Sequence, residues 1–197
     1  MFVYDYKAKS ASAVLEYGAE NSNTKIHLES KQVAFTKDNN IGVAIPGSGA
    51  LMITENKDLN IVSGQAIARS EFGITEGIFW SPEGNHIAFY QKDESKVGDY
   101  PLLDVTTTPG SLKNIKYPMA GQGSEVSTVG IYSVASKNLI YVQSPIEEAD
   151  HYYTNVSWSA DEKYVLIAEI NRDQNHVWLN QYSALDGSFV KTLWEET

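Results

Sequence analysis

The chain contains no cysteine, so disulfides and thiolate metal sites are excluded. It also lacks any long apolar run. The longest aliphatic stretch is Val165-Leu166-Ile167-Ala168, far below the roughly 20 residues of a membrane helix, so no span is expected. The start, Phe2-Val3-Tyr4-Asp5-Tyr6, has neither the basic nor the apolar region of a signal peptide. Basic residues are scarce: 15 Lys and Arg stand against 25 Asp and Glu, for a formal net charge of −10. Binding a phosphate backbone needs clustered cations, so nucleic acid is not an expected partner. The four histidines, 27, 86, 151 and 176, share no metal-ligand spacing, and no cofactor is expected. No stretch of 11 or more residues shows clear helical periodicity.

What is abundant favours strands. Val (15), Ile (15), Thr (11) and the 22 aromatics contrast with 12 Leu, and β-branched and aromatic side chains suit a pleated, half-buried surface. Strand-like runs recur between turn signals, from a hairpin formed by Phe2 to Tyr6 and Ala13 to Tyr17, through His86 to Lys92, to Phe189 to Leu193. The chain reads as all-β.

Repetition refines this. Trp80-Ser81-Pro82-Glu83-Gly84-Asn85-His86-Ile87-Ala88 recurs as Trp158-Ser159-Ala160-Asp161-Glu162-Lys163-Tyr164-Val165-Leu166, 78 residues later. A fainter copy matches Glu29, Ala34 and Phe35 to Glu83, Ala88 and Phe89. Strand, acidic turn and strand, repeated at this scale, is the pattern of propeller blades of about 40–50 residues. Trp80 and Trp158 are expected to pack between blades. The turn carboxylates Asp93-Glu94 and Asp161-Glu162, and the acidic run Glu147 to Asp150, are expected on solvated surfaces. Residues 92–126 read as a long insertion that packs down onto one blade. The expected layout is a terminal hairpin (2–17) and blades at 24–62, 75–144 and 152–197. That is a partial β-propeller of about three and a half four-stranded blades. Unpaired strand edges at its ends predict self-association, with a homo-oligomer, a dimer, as the expected state.

The segment from Glu71 to Gly84, with Ala88 to Ser95, Val97 to Leu102, Tyr117-Pro118-Met119-Ala120-Gly121, Val129 to Tyr132 and Val156 through Asn175, resembles the N-terminal propeller of the dipeptidyl peptidase IV family. The Tyr-Pro-x-Ala-Gly element is its most specific part. The resemblance implies a serine exopeptidase in which a propeller, eight-bladed in the family, caps an α/β-hydrolase domain and admits short peptides that are cleaved after proline. The whole chain, 1–197, would be a fragment of that propeller. No Gly-x-Ser-x-Gly elbow is present, so the fragment alone is expected to be inactive. Expected partners are a peptide substrate and the hydrolase domain of the same chain. The family's bacterial members imply a periplasmic or cell-surface location.

In that family an acidic element before the Trp-Ser-Pro strand holds the peptide's α-ammonium. The corresponding stretch is Ile67-Ala68-Arg69-Ser70-Glu71-Phe72, with one Glu rather than a tandem pair. The resemblance implies Glu71 as the ammonium anchor and Arg69 as its orienting partner. The Arg-x-Glu-Phe-Gly-Ile pattern is similar to the prolyl tripeptidyl aminopeptidase branch, which implies room for a longer N-terminal segment. The competing reading from the residues is a non-enzymatic propeller that docks other proteins.

Overall fold

The computed structural model describes residues 1–148 and 150–197, so Ala149 of the acidic run lies outside the described residues. Strands β1 (Phe2–Asp5) and β2 (Ser10–Ala13) form an N-terminal hairpin. The return strand comes earlier than the Ala13 to Tyr17 expected from sequence. The Asp5 carboxylate accepts the Lys7 and Ala8 backbone N–H groups at 2.8 and 3.0 Å, which tightens the turn and pulls Ser10 opposite Asp5. Leu15 is thereby freed to plug an apolar cluster with Val33, Phe35 and Ala44.

Three antiparallel sheets follow. The first orders β3 (Ser22–His27), β4 (Gln32–Lys37), β5 (Asn40–Ile45) and β6 (Gly49–Met52) side by side. Its central hairpin turns through Asp38 and Asn39, both at positive φ, the pairing that matches strand twist in two-residue hairpins. The third orders β14 (Tyr152–Trp158), β15 (Tyr164–Ile170), β16 (Val177–Ser183) and β17 (Phe189–Glu196).

The second sheet departs from that plan. Its first strand is split: β7 (Ile61–Ser63) pairs with the far end of β9 (His86–Asp93), and β8 (Ile78–Trp80) with the near end. Strands β12 (Val126–Ser133) and β13 (Leu139–Tyr141) complete it. This blade therefore begins at Ile61 rather than near residue 75. Residues 64–77 leave the sheet and return, and both ends of the excursion bond to Tyr90: Gly64 N–H donates to its carbonyl at 2.8 Å, and its N–H donates to the Gly77 carbonyl at 3.0 Å. At Gly77 a Cβ would meet the Gln65 backbone at 2.3 Å, so glycine alone lets the two strands of this neck pass.

The long insertion is a hairpin of β10 (Asp99–Asp104) and β11 (Ser111–Lys116). It does not pack down as expected. Leu103 and Leu112 stay exposed, because the two strands pair only with each other; Tyr100 and Tyr117 touch near the base, with ring centroids 5.7 Å apart, yet are exposed too, and burial begins only at Val97.

Period-two alternation explains how the blades stack. Along β9, Ile87 and Phe89 face the first blade and join Ala34, Ile41 and Val43; Ala88 and Tyr90 face the third and join Val165, Ile167 and Tyr182. A strand buried on both faces needs apolar residues at every position, hence the unbroken run Ile87-Ala88-Phe89-Tyr90. Each repeat Trp reaches back one blade: Trp80 Nε1 donates to Lys25 O at 3.0 Å, and Trp158 Nε1 to Phe79 O at 3.1 Å. Glu162 departs from its expected solvated setting. It is 8% exposed, and its carboxylate accepts the Glu83 backbone N–H at 2.6 Å and Asn85 Nδ2 at 2.7 Å, so one blade's turn clasps the previous one. Glu94 is likewise largely covered, paired with Lys92 Nζ at 2.7 Å.

The faint repeat has a physical counterpart. Phe35 lies across from Gly42 and Phe89 across from Gly130, each ring filling the space above a glycine. A Cβ at Gly130 would sit 2.6 Å from the Phe89 ring. Gly130→Ala should lower stability by about 1–3 kcal/mol through overpacking. Urea titration checks this, and Phe89→Leu in the same background should recover part of the loss.

Candidate functional site

The excursion from the split strand carries both residues singled out from the sequence. Ala68, Arg69 and Ser70 are consecutively left-handed, with φ of 49°, 52° and 65°, and Phe72 follows at 55°. Left-handed backbone costs non-glycine residues roughly 1–2 kcal/mol each, and such outliers persist only where the surroundings over-determine them. Here Ile67 and Ile74 are buried at either end. Ser70 N–H donates to Ile67 O, and Ile74 N–H to Glu71 O, each at 3.0 Å. The Phe72 ring leans on Tyr152 with centroids 5.0 Å apart.

Glu125 supplies the remaining restraint. Its carboxylate accepts the Ala68 backbone N–H at 2.7 Å and lies 3.5 Å from Lys92 Nζ. Glu125 and Lys92 are both largely covered, with side chains 11% and 15% exposed. A largely covered carboxylate that holds a backbone N–H at the first strained residue fixes where the turn begins.

This turn forms one wall of a cavity of about 290 Å³. Arg69 and Glu71 both line it, and so does the whole Tyr117-Pro118-Met119-Ala120-Gly121 element. The third blade adds Asp150, His151, Tyr152 and Arg172. The Arg69 guanidinium lies over the Tyr117 ring, 4.8 Å from its centroid. Among the described residues, neither Arg69 nor Glu71 makes an ion pair. The turn thus presents an unpaired cation and an unpaired anion to the same cavity.

Sequence reasoning did not single out Glu125, His151, Tyr152 or Arg172. They come from distant segments and acquire meaning only where blades two and three meet. Arg172 alone had a signal, because it falls in the resembling stretch Glu169 to Asn175.

Behind the cavity wall lies a buried polar network. Glu169 is fully buried and accepts hydrogen bonds from Ser144 Oγ at 2.6 Å, Asn180 Nδ2 at 2.9 Å, the Tyr182 hydroxyl and His151 Nε2 at 2.9 Å. The other imidazole nitrogen, Nδ1, faces the Glu148 carbonyl. With an acceptor on each side, the pocket favours the imidazolium, the form in which both ring nitrogens donate. Burial opposes charge on either partner. For Glu169 the four donors outweigh burial and hold the carboxyl below its ordinary value. For His151 burial is likewise outweighed, by the Glu169 carboxylate and the Glu148 carbonyl, and its pKa is raised. Burial, together with the Glu169 charge, raises the pKa of the Tyr182 hydroxyl, which stays protonated as a donor.

The sequence of the entire chain, residues 1–197, matches the family described as the dipeptidyl peptidase IV (DPP IV) N-terminal region. The chain belongs to this family. It is 25% identical over 179 residues to the "Probable dipeptidyl-aminopeptidase B" of Pyrenophora tritici-repentis, covering 79% of this chain and 20% of that protein. The protein of the same name from Talaromyces stipitatus is 28% identical over 166 residues, covering 75% and 18%. The chain therefore spans about a fifth of the length of these curated relatives. A Bacteroides ovatus crystal structure, named for dipeptidyl aminopeptidase IV, superposes with a TM-score of 0.88 at 41% identity, over 98% of this chain and 26% of that one. Porphyromonas gingivalis dipeptidyl peptidase 4 shares the fold, with a TM-score of 0.85 at 23% identity, over 100% of this chain and 28% of that one. The fold is accordingly a partial β-propeller of this family.

Two predictions follow from the site's geometry. Glu125→Ala strips the Ala68 N–H of its acceptor and should loosen the turn, so that trypsin cuts after Arg69 faster than in the parent. Glu125→Gln keeps an acceptor oxygen and should restore most of the resistance; equal cutting in all three proteins contradicts the anchoring role. The His151–Glu169 pair should also shape stability against pH. The Glu169 contribution is complete above its unfolded value, ~4.3, and is lost as pH falls through its lower folded value. The His151 contribution is complete below ~6.5 and is lost as pH rises through its higher folded value. The urea midpoint should therefore decline on the alkaline side, and His151→Gln should abolish that alkaline limb.

Proposed function

We propose that this chain is the non-catalytic propeller portion of a bacterial serine exopeptidase that removes short N-terminal segments after proline. In this reading the propeller gates access to a hydrolase domain elsewhere in the same protein, and Glu71 takes the substrate's α-ammonium. Arg69 orients the bound segment. The single observation that carries the reading is the strained turn, which holds an unpaired Glu71 in a cavity that is also lined by the Tyr-Pro-x-Ala-Gly element. A carboxylate is the group that would count residues from a charged N-terminus, because the pairing is charge-assisted and lost when the amine is blocked. One carboxylate rather than two leaves space for a longer segment, and release of tripeptides fits this best. Periplasmic or cell-surface location and assembly as a homo-oligomer belong to the same proposal.

The test uses the full-length protein. Glu71→Ala should reduce kcat/KM on short proline-containing peptides by about 10- to 150-fold, the equivalent of losing a hydrogen bond to a charged group worth about 1.5–3 kcal/mol. N-acetylation of the peptide should impose a similar loss on the parent and little further loss on the variant. An unchanged kcat/KM in Glu71→Ala refutes the anchor. Absence of any peptidase activity in the full-length protein favours a propeller that only docks other proteins.

A further inference from the structure

The chain has only two arginines, Arg69 and Arg172, and both line the cavity described above. They come from different blades, and each lies over a tyrosine ring. Arg69 sits 4.8 Å from the centroid of Tyr117, and Arg172 5.4 Å from that of Tyr152. In a chain of net charge −10, both guanidiniums are gathered at one cavity, where they stand among the carboxylates of Glu71, Glu125 and Asp150. A guanidinium over an aromatic face keeps its charge and its fork of N–H donors available at the edge.

Two of these carboxylates are engaged elsewhere and leave Arg69 unpaired. Glu125 is committed to the Ala68 N–H and to Lys92. Asp150 Oδ2 lies 3.8 Å from Arg172 Nε, and the Tyr152 hydroxyl accepts a hydrogen bond from the same guanidinium. Arg172 is thus held in place by its own partners, whereas Arg69 has only the ring beneath it. Arg69 also stands two residues from Glu71 on a turn whose left-handed backbone fixes both.

We infer that the cavity selects peptides bearing a carboxylate side chain at their first or second residue, with Arg69 receiving that carboxylate while Glu71 holds the α-ammonium. The inference rests on the Glu71 reading for the placement of the amine, and on Arg69 and its ring for the acid. Arg69 can engage a carboxylate through two parallel N–H···O bonds, a geometry an amide side chain cannot match with equal strength.

The experiment measures Kd by fluorescence anisotropy on the full-length protein, with C-terminally labelled tetrapeptides that lack proline. Glu-Ala-Ala-Ala and Ala-Glu-Ala-Ala are compared with their Gln counterparts, each with free and acetylated N-termini. At least one Glu peptide should bind ten-fold or more tighter than its Gln counterpart. That ratio should fall towards one in Arg69→Gln and at high salt. Equal binding of Glu and Gln peptides at both positions overturns the inference, while sensitivity to acetylation would still leave the Glu71 anchor standing. A Glu preference that survives Arg69→Gln also overturns it, by placing the acid elsewhere. A Glu preference that is lost in Arg69→Gln but indifferent to acetylation retains the acid site and removes the amine anchor. The Glu-to-Gln ratio in the parent protein needs no variant, so it remains decisive even if Arg69→Gln fails to fold.

Discussion

Each four-stranded sheet in this chain has two apolar faces and covers neither from within, so its stability depends on a neighbouring blade being pressed against it. The alternation along β9 makes this concrete: Ile87 and Phe89 are buried only because the first blade is there, and Ala88 and Tyr90 only because the third is. Everything else that joins the blades sits on that apolar contact. The indole N–H groups of Trp80 and Trp158 bond across it, and Glu162 spans the turns at its edge. These polar bridges are directional, so they fix the rotation of one blade against the next, which apolar burial alone leaves loosely specified.

The same packing permits the strained turn. A run of left-handed, non-glycine residues cannot persist in an isolated loop, where relaxing it would release several kcal/mol. In this chain the excursion starts and ends on one residue of a rigid strand, Tyr90, and is pinned at Ile67, Ile74 and the Glu125 carboxylate. The neck, the pins and the packed blades together hold two opposite charges apart, and so neither neutralises the other. An unpaired carboxylate and an unpaired guanidinium at fixed positions are what a dipolar ligand requires, and a flexible loop would lose them to each other.

The sequence and the structure divide the explanation along physical lines. Strand composition, the Trp-Ser repeat and its spacing are local or periodic signals, and the blades were legible from them. The Phe-over-Gly pairing was foreshadowed by Phe35 and Phe89 in the faint repeat, though not its glycine partners. By contrast, β7 is three residues long and carries no periodicity, and β10 and β11 were masked by the prolines and threonines of the insertion. Glu162 shows the limit most clearly. In sequence it is one more acidic turn residue, and only the approach of the previous blade turns it into a buried acceptor.

By itself, therefore, the sequence determined that the chain is all-β, repeats as blades and carries one glutamate, Glu71, in the stretch from Ile67 to Phe72. Those properties follow from side-chain preference and repeat period, which each segment carries alone. The tertiary structure decided which charges are spent and which are free. Glu125 and Glu169 are satisfied by partners 57 and 11 to 25 residues away, whereas Arg69 and Glu71 are left facing a cavity. Whether a charge is buried, paired or available depends on what the fold brings beside it, and no local pattern encodes that.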